Sequence, residues 1–195
     1  MKHYILFTFI VGAAPVMYSQ EPLEWNPDYE LQLSDYRSPQ TEISAELTSY
    51  SIYSGSKIDF SFNMSSVAYM LTKNFNNKVK AIFQQNLAVI IAPDTLTANQ
   101  LVRFGRYDFD LMELYCRKIR KKIYEEKGTF TDAKFFQPIF NELQQEMNTV
   151  SAQVFKATDF GKDSVLLQKE HDKVLEQIKV LTDFCKNCKP RKSQN

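Results

Sequence analysis

The chain has 195 residues, which fits one domain of about 100 to 200 residues plus a short leader and excludes two large independent domains. Its 44% hydrophobic and 24% charged residues, with only 5 Gly and 7 Pro, exclude collagen-like and disordered classes and allow a real core. Lys+Arg 24 against Asp+Glu 23 leaves a formal charge of +1, so no global field favours nucleic acid and no such partner is expected.

Lys2 and His3 precede an apolar run from Tyr4 to Val16, followed by Met17, Tyr18, Ser19 and Gln20. That order is the n-region, h-region and small-residue site of a secretory signal peptide, with cleavage expected after Ser19. Residues 1–19 are thus read as a leader, and the mature protein, neutral once Lys2 is removed, is expected to be secreted or periplasmic. The run is shorter than the roughly 20 residues that span a bilayer, and no later stretch is long and uncharged enough. A soluble rather than membrane-spanning domain over 20–184 is expected.

Strands are expected first. A short one near Leu31 to Leu33 opens the domain. Ile43, Ala45 and Leu47 alternate with Glu42, Ser44 and Glu46 before Tyr50 and Ile52 take the other phase, which predicts a bulge or bend within a second strand. Ile58, Phe60, Phe62 and Met64 alternate with Asp59, Ser61 and Asn63, the pattern of a strand with one wet face. Val79, Ala81 and Phe83, then Leu87 to Ile91, complete a small antiparallel sheet, because the spacing leaves no room for helical crossovers.

After Pro93 the period becomes helical. Thr97 and Gln100 form a capping-box pattern, and a long helix is expected to run to Lys127, with Gly128 ending it. A second helix starts between Thr131 and Pro138, where proline is tolerated in the first turn, and ends near Phe155. Asp163 or Ser164 caps a third, Val165 to Phe184. The fold class is therefore α+β, a small N-terminal antiparallel sheet packed on three C-terminal helices. The basic stretch 185–195, with Lys186, Lys189, Arg191 and Lys192, is expected to be a disordered tail.

The three cysteines, Cys116, Cys185 and Cys188, cannot all pair within one chain. Cys185 and Cys188 have CxxC spacing but lack the strand-to-helix context that lowers a thiol pKa, so they read as a terminal staple or as two free thiols. No second ligand pair exists for a zinc site, and no glycine-rich phosphate loop is present. Once His3 leaves with the leader, only His171 remains, in a charged stretch where it is expected to face solvent. No histidine relay or two-histidine metal site can be built, so no catalytic residue, metal ligand or cofactor is assigned.

Leu101-Val-Arg-Phe-Gly-Arg-Tyr-Asp-Phe-Asp-Leu-Met-Glu-Leu-Tyr-Cys-Arg117 resembles the long helix of a family of predicted secreted zinc-dependent proteases, domain of unknown function 922. The family motif reads Leu-Leu-x-His-Glu-x-x-His-Phe-Asp, then Glu and Arg at fixed steps. Leu101, Phe109, Asp110, Glu113 and Arg117 match it. Phe104 and Asp108 stand where the two histidines would be, and Gly105 replaces the general-base Glu. Thr158-Asp-Phe-Gly161 resembles the downstream Thr-x-His-Gly, with Phe160 in the histidine's place. Leu31-Gln-Leu-Ser-Asp-Tyr36 resembles the family's Leu-x-Trp-x-Asp-Phe, with Leu33 for Trp and Trp25 upstream. The resemblance covers roughly residues 23 to 181.

It implies a zincin-like fold without its metal. Catalytic zinc of this type needs three protein ligands, two of them an inward-facing pair at i and i+4 of one helix. The implied function is a catalytically inactive pseudo-protease, a binding or structural module of the cell envelope whose protein or peptide partner the residues do not name. The alternatives are a hydrolase using Asp108 with another acid such as Glu113, and a thiol-based role of Cys185 and Cys188.

Helical geometry puts Leu101, Phe104, Asp108, Leu111, Tyr115 and Ile119 on one face and Arg106, Asp110, Glu113 and Arg117 on the other, as a ladder of ion pairs. The rings of Phe104 and Phe160 are expected to touch and plug the former site. Asp108 is expected to take a donor from a tyrosine, a lysine or a backbone amide, or else to face a solvent-filled cleft.

Overall fold

Short, interrupted apolar runs in the first half form correspondingly short strands. In a computed structural model that describes residues 21–61 and 63–191, these are β1 (Leu23–Glu24), β2 (Glu42–Ile43), β3 (Ser51–Tyr53) and β4 (Ser56–Phe60). After helix α1 (Ser66–Leu71) come β5 (Val79–Phe83) and β6 (Val89–Ala92), and then α2 (Thr95–Glu126), α3 (Phe136–Ala157) and α4 (Ser164–Val180). The class is α+β, as the residue patterns require. The expected leader, Phe62 and Lys192 lie outside the described residues. Among the described residues, no helix is long and apolar enough to cross a membrane.

The strands make two three-stranded sheets, not one, in the orders β1-β5-β4 and β2-β6-β3. The strand centred on Ile58 ends at Phe60 and pairs antiparallel with β5, Ile58 opposite Ala81. The segment whose alternation changes phase is broken outright: Ser44 accepts the Leu47 N–H through its carbonyl and the Glu46 N–H through its hydroxyl. The break sends β2 and β3 to opposite sides of β6, β3 antiparallel and β2 parallel. Parallel pairing is possible here because the whole excursion through β3, β4, α1 and β5 separates β2 from β6, a connection long enough for a crossover.

No strand forms at Leu31 to Leu33. The Asp35 carboxylate accepts the Gln32 N–H at 2.7 Å, the Tyr29 hydroxyl at 2.8 Å and the Gln85 amide at 2.7 Å, which turns residues 33–35 into a 3-10 turn. A side chain bonding its own backbone competes with a sheet ladder and here wins. Helix α1, whose N-cap Ser65 accepts from Ala68 N–H, has no counterpart among the expected elements.

Helix α2 is the axis of the molecule. Its N-cap is Asp94, whose carboxylate accepts the Thr97 N–H at 2.7 Å, so the helix starts two residues ahead of Thr97 and not through a Thr97–Gln100 box. Lys127 is its C-cap. Pro138 falls in the first turn of α3, and Asp163 caps α4 by accepting the Leu166 N–H. Both sheets, α3 and α4 all pack on α2, which buries residues as far apart around it as Leu101, Tyr107, Met112 and Ile119.

The two-faced reading of α2 therefore needs correction, because a helix surrounded on all sides is buried all round. Glu113 does pair with Arg117 at 2.8 Å, but its second partner is Arg120. Both arginines reach onward to carbonyls: Arg117 donates to Ile178, and Arg120 to Val79 and Phe184. This buried cluster ties α2 to β5 and to the end of α4. Asp110 and Arg106 take other partners altogether.

Residues 185–191 do not behave as a free tail. Cys185 and Cys188 form a disulfide, and the Cys188 carbonyl accepts from both Asn74 and the buried Asn76. Lys186 pairs with Glu24 and Arg191 with Asp183. Polar anchors, which composition does not reveal, hold the basic stretch down.

Candidate functional site

The positions where the family motif would carry its metal fall where α2 meets β3, β4 and α3. Phe104 is only 5% exposed and packs its ring on Phe155, centroids 4.6 Å apart. Gly105 faces the sheet side, where the Tyr36 phenol fills the space a longer side chain would take. Burial and the nearby Asp108 and Asp35 charges push the Tyr36 pKa up, and its hydroxyl makes no hydrogen bond among the described residues.

Asp108 finds two donors that were not among those expected. Ser54, between β3 and β4, donates to Oδ2 at 2.8 Å, and Ser151 of α3 donates to Oδ1 at 2.6 Å. Desolvation pushes the Asp108 pKa up, against the opposing effect of the two hydroxyl bonds. With both oxygens engaged, the carboxylate bridges the sheet edge and α3 at one wall of a pocket of about 400 Å³. That pocket has no second acid in its lining.

Phe160 does not touch Phe104. Phe155 stands between them, 4.4 Å from Phe160 and 4.6 Å from Phe104, and Phe160 remains 37% exposed against Tyr50. The reason is the chain reversal after α3, where Asp159 and Phe160 take left-handed φ values of 45° and 59°. Gly161 follows at φ 86°, where a Cβ would lie 2.9 Å from the Gln100 carbonyl oxygen of α2. The turn backs onto α2 through Gly161, and this points Phe160 outward. The aromatic plug is thus Phe104 with Phe155, and Phe160 covers its outer edge.

These residues do not fit a zinc ion. Phe104 and Gly105 have no ligand atoms, Asp108 is a single carboxylate held by two hydroxyls, and Phe160 is turned away. Among the described residues, no group of three His, Cys, Asp or Glu side chains is placed to hold a metal. Cys116 is a separate buried thiol, its pKa pushed well up chiefly by burial, and Cys185 and Cys188 are joined as the staple.

A second constellation lies around Asp110. Trp25, just after β1, donates its indole N–H to Asp110 Oδ1 at 2.7 Å, and His171 of α4 is hydrogen-bonded to Oδ2 at 2.6 Å. His171 is therefore not a solvent-facing residue: its side chain is 17% exposed and meets the Tyr107 ring edge-on. Trp25, Asp110 and His171 line a pocket of about 440 Å³ between the N-terminal segment, α2 and α4. Sequence reading missed it because its members come from three distant segments. No local signal in the sequence links them.

No family model, curated protein or solved structure matches the chain.

Proposed function

We propose that the protein is a catalytically inactive relative of the secreted zinc protease family it resembles, a zincin-like domain that serves as a binding or structural module of the cell envelope. The observation that carries this reading is the chemistry at the four motif positions. Phe104 is packed on Phe155, Gly105 leaves room for Tyr36, Asp108 is held by Ser54 and Ser151, and Phe160 is turned outward. Replacing buried metal-paired imidazoles by packed aromatics avoids a cost of several kcal/mol for unpaired polar groups.

The cleft that remains beside Asp108 suits a peptide partner. It is bounded by residues of β3 and β4, each an edge strand of its sheet, and by α3. An extended segment can add main-chain hydrogen bonds to such an edge. A hydrolase built on Asp108 and Glu113 is the weaker reading, since Glu113 is committed to Arg117 and Arg120.

The test is elemental analysis of the purified mature protein together with a calorimetric zinc titration. No bound metal and no binding at micromolar zinc is the expected result. Stoichiometric zinc would overturn the proposal and return Asp108 as the first suspected ligand.

A further inference from the structure

The Asp110 pocket shares no lining residue with the Asp108 pocket, so its chemistry is independent of the fate of the former metal position. Its charges are unevenly matched. Glu30 is paired with Arg106, and Asp110 is committed to Trp25 and His171. Arg106 also donates to the Leu31 carbonyl at 2.7 Å and to the Gln32 side chain. Arg103, one turn away on the same lining, forms neither hydrogen bond nor ion pair among the described residues, and its Nε is buried without an acceptor. Lys179 adds a second positive charge to the lining.

A buried guanidinium nitrogen without an acceptor is unusual in a folded protein, since such groups are nearly always partnered. That nitrogen is closed to a ligand as it is to water, but the two terminal nitrogens of Arg103, also without a protein acceptor among the described residues, are open, and a ligand anion in the pocket supplies their acceptor. The remaining walls are apolar: Leu167 and Ile178 of α4 and Phe109 of α2 are buried beneath the pocket, with Leu175 partly buried beside them. One unpaired arginine beside an apolar floor matches a monoanion on a hydrocarbon body better than a phosphate, which draws on several converging donors.

We propose that this pocket binds a small apolar carboxylate, its charge received by Arg103 and its hydrocarbon chain by Leu167, Leu175 and Phe109. The Trp25–Asp110–His171 chain of hydrogen bonds is the rigid wall against which it lies.

Trp25 is the only tryptophan of the chain and lines both this pocket and the adjoining one beside Arg117 and Lys186, so its fluorescence reports binding at either, and Lys186→Gln, which should leave octanoate affinity unchanged, separates the two. The experiment titrates the full chain with octanoate, with its neutral analogue octanamide and with inorganic phosphate, and follows Trp25 emission. The expected result is saturable binding of octanoate, about tenfold or more weaker binding of octanamide, and a similar loss of octanoate affinity in Arg103→Gln. Three results would overturn it: no saturable change up to about 10 mM octanoate, octanamide binding as tightly as octanoate, or phosphate competing equally well. The octanamide comparison is made on the unaltered protein, so it decides the matter even where Arg103→Gln lowers stability.

Discussion

The hydroxyl of Tyr36 occupies the place of a side chain at Gly105: a Cβ there would lie 1.9 Å from the phenolic oxygen and 3.2 Å from Cζ. Tyr36 is 3% exposed and packs edge-on against Phe83, so the ring has little freedom to withdraw. Gly105→Ala should therefore destabilise the fold by about 1–3 kcal/mol through overpacking. Tyr36→Phe, which deletes a buried hydroxyl without a hydrogen bond among the described residues, should change stability by less than about 1 kcal/mol. In the Tyr36→Phe background the cost of the alanine should shrink, as read from urea midpoints in a double-mutant cycle. Strictly additive costs would show that the hydroxyl is not what excludes the methyl group.

Asp108 predicts a pH dependence whose sign follows from its raised pKa. The native protein holds the Asp108 proton above 3.8, the ordinary value of the group, while the unfolded chain has released it. The stability associated with this proton is fully present below 3.8 and is lost as pH rises through the native pKa. Asp108→Asn has no such proton and can still bond both serines. Its urea stability relative to the unaltered protein should rise as pH increases from 4 toward neutrality. An Asn variant that loses ground over that interval would contradict the assignment.

The Glu113 cluster should be among the costliest to break. Arg120 and Arg117 are 1% and 8% exposed in their side chains, and removing Glu113 leaves two buried guanidinium groups without their counter-charge. Glu113→Ala is expected to cost about 3–5 kcal/mol. A similar alanine at Glu142, whose pairing with Lys122 lies at the surface, should cost no more than about 1 kcal/mol. Comparable losses at the two sites in chemical denaturation would refute the distinction.

Reduction of the disulfide should be tolerated. Cys185 and Cys188 close a loop of only four residues, for which chain entropy predicts about 2 kcal/mol. The segment keeps its Asn74 and Asn76 hydrogen bonds to the Cys188 carbonyl. Unfolding in the presence of a phosphine reductant should remain cooperative, with a loss of unfolding free energy of that amount or less.

What residue order alone settled in this protein is local. The change from period two to period 3.6 after Pro93, Pro138 in the first turn of α3 and the Asp163 cap of α4 depend on neighbours within a few residues, and each is legible there. The α+β class follows from them. The same local reasoning misplaced the start of α2, because Asp94 caps three residues before Thr97. It also put a strand where the Asp35 carboxylate bends the chain.

Tertiary packing decided everything that joins distant segments. Trp25 and Asp110 are 85 residues apart and Asp110 and His171 are 61 apart, so nothing in their surroundings along the chain announces that they meet. The split of the strands into two sheets around β6, the outward turn of Phe160, and the serines that hold Asp108 are of the same kind. A side chain's partner is set by which surfaces the core brings together, and hydrophobic burial, being non-directional, leaves that choice to the whole fold.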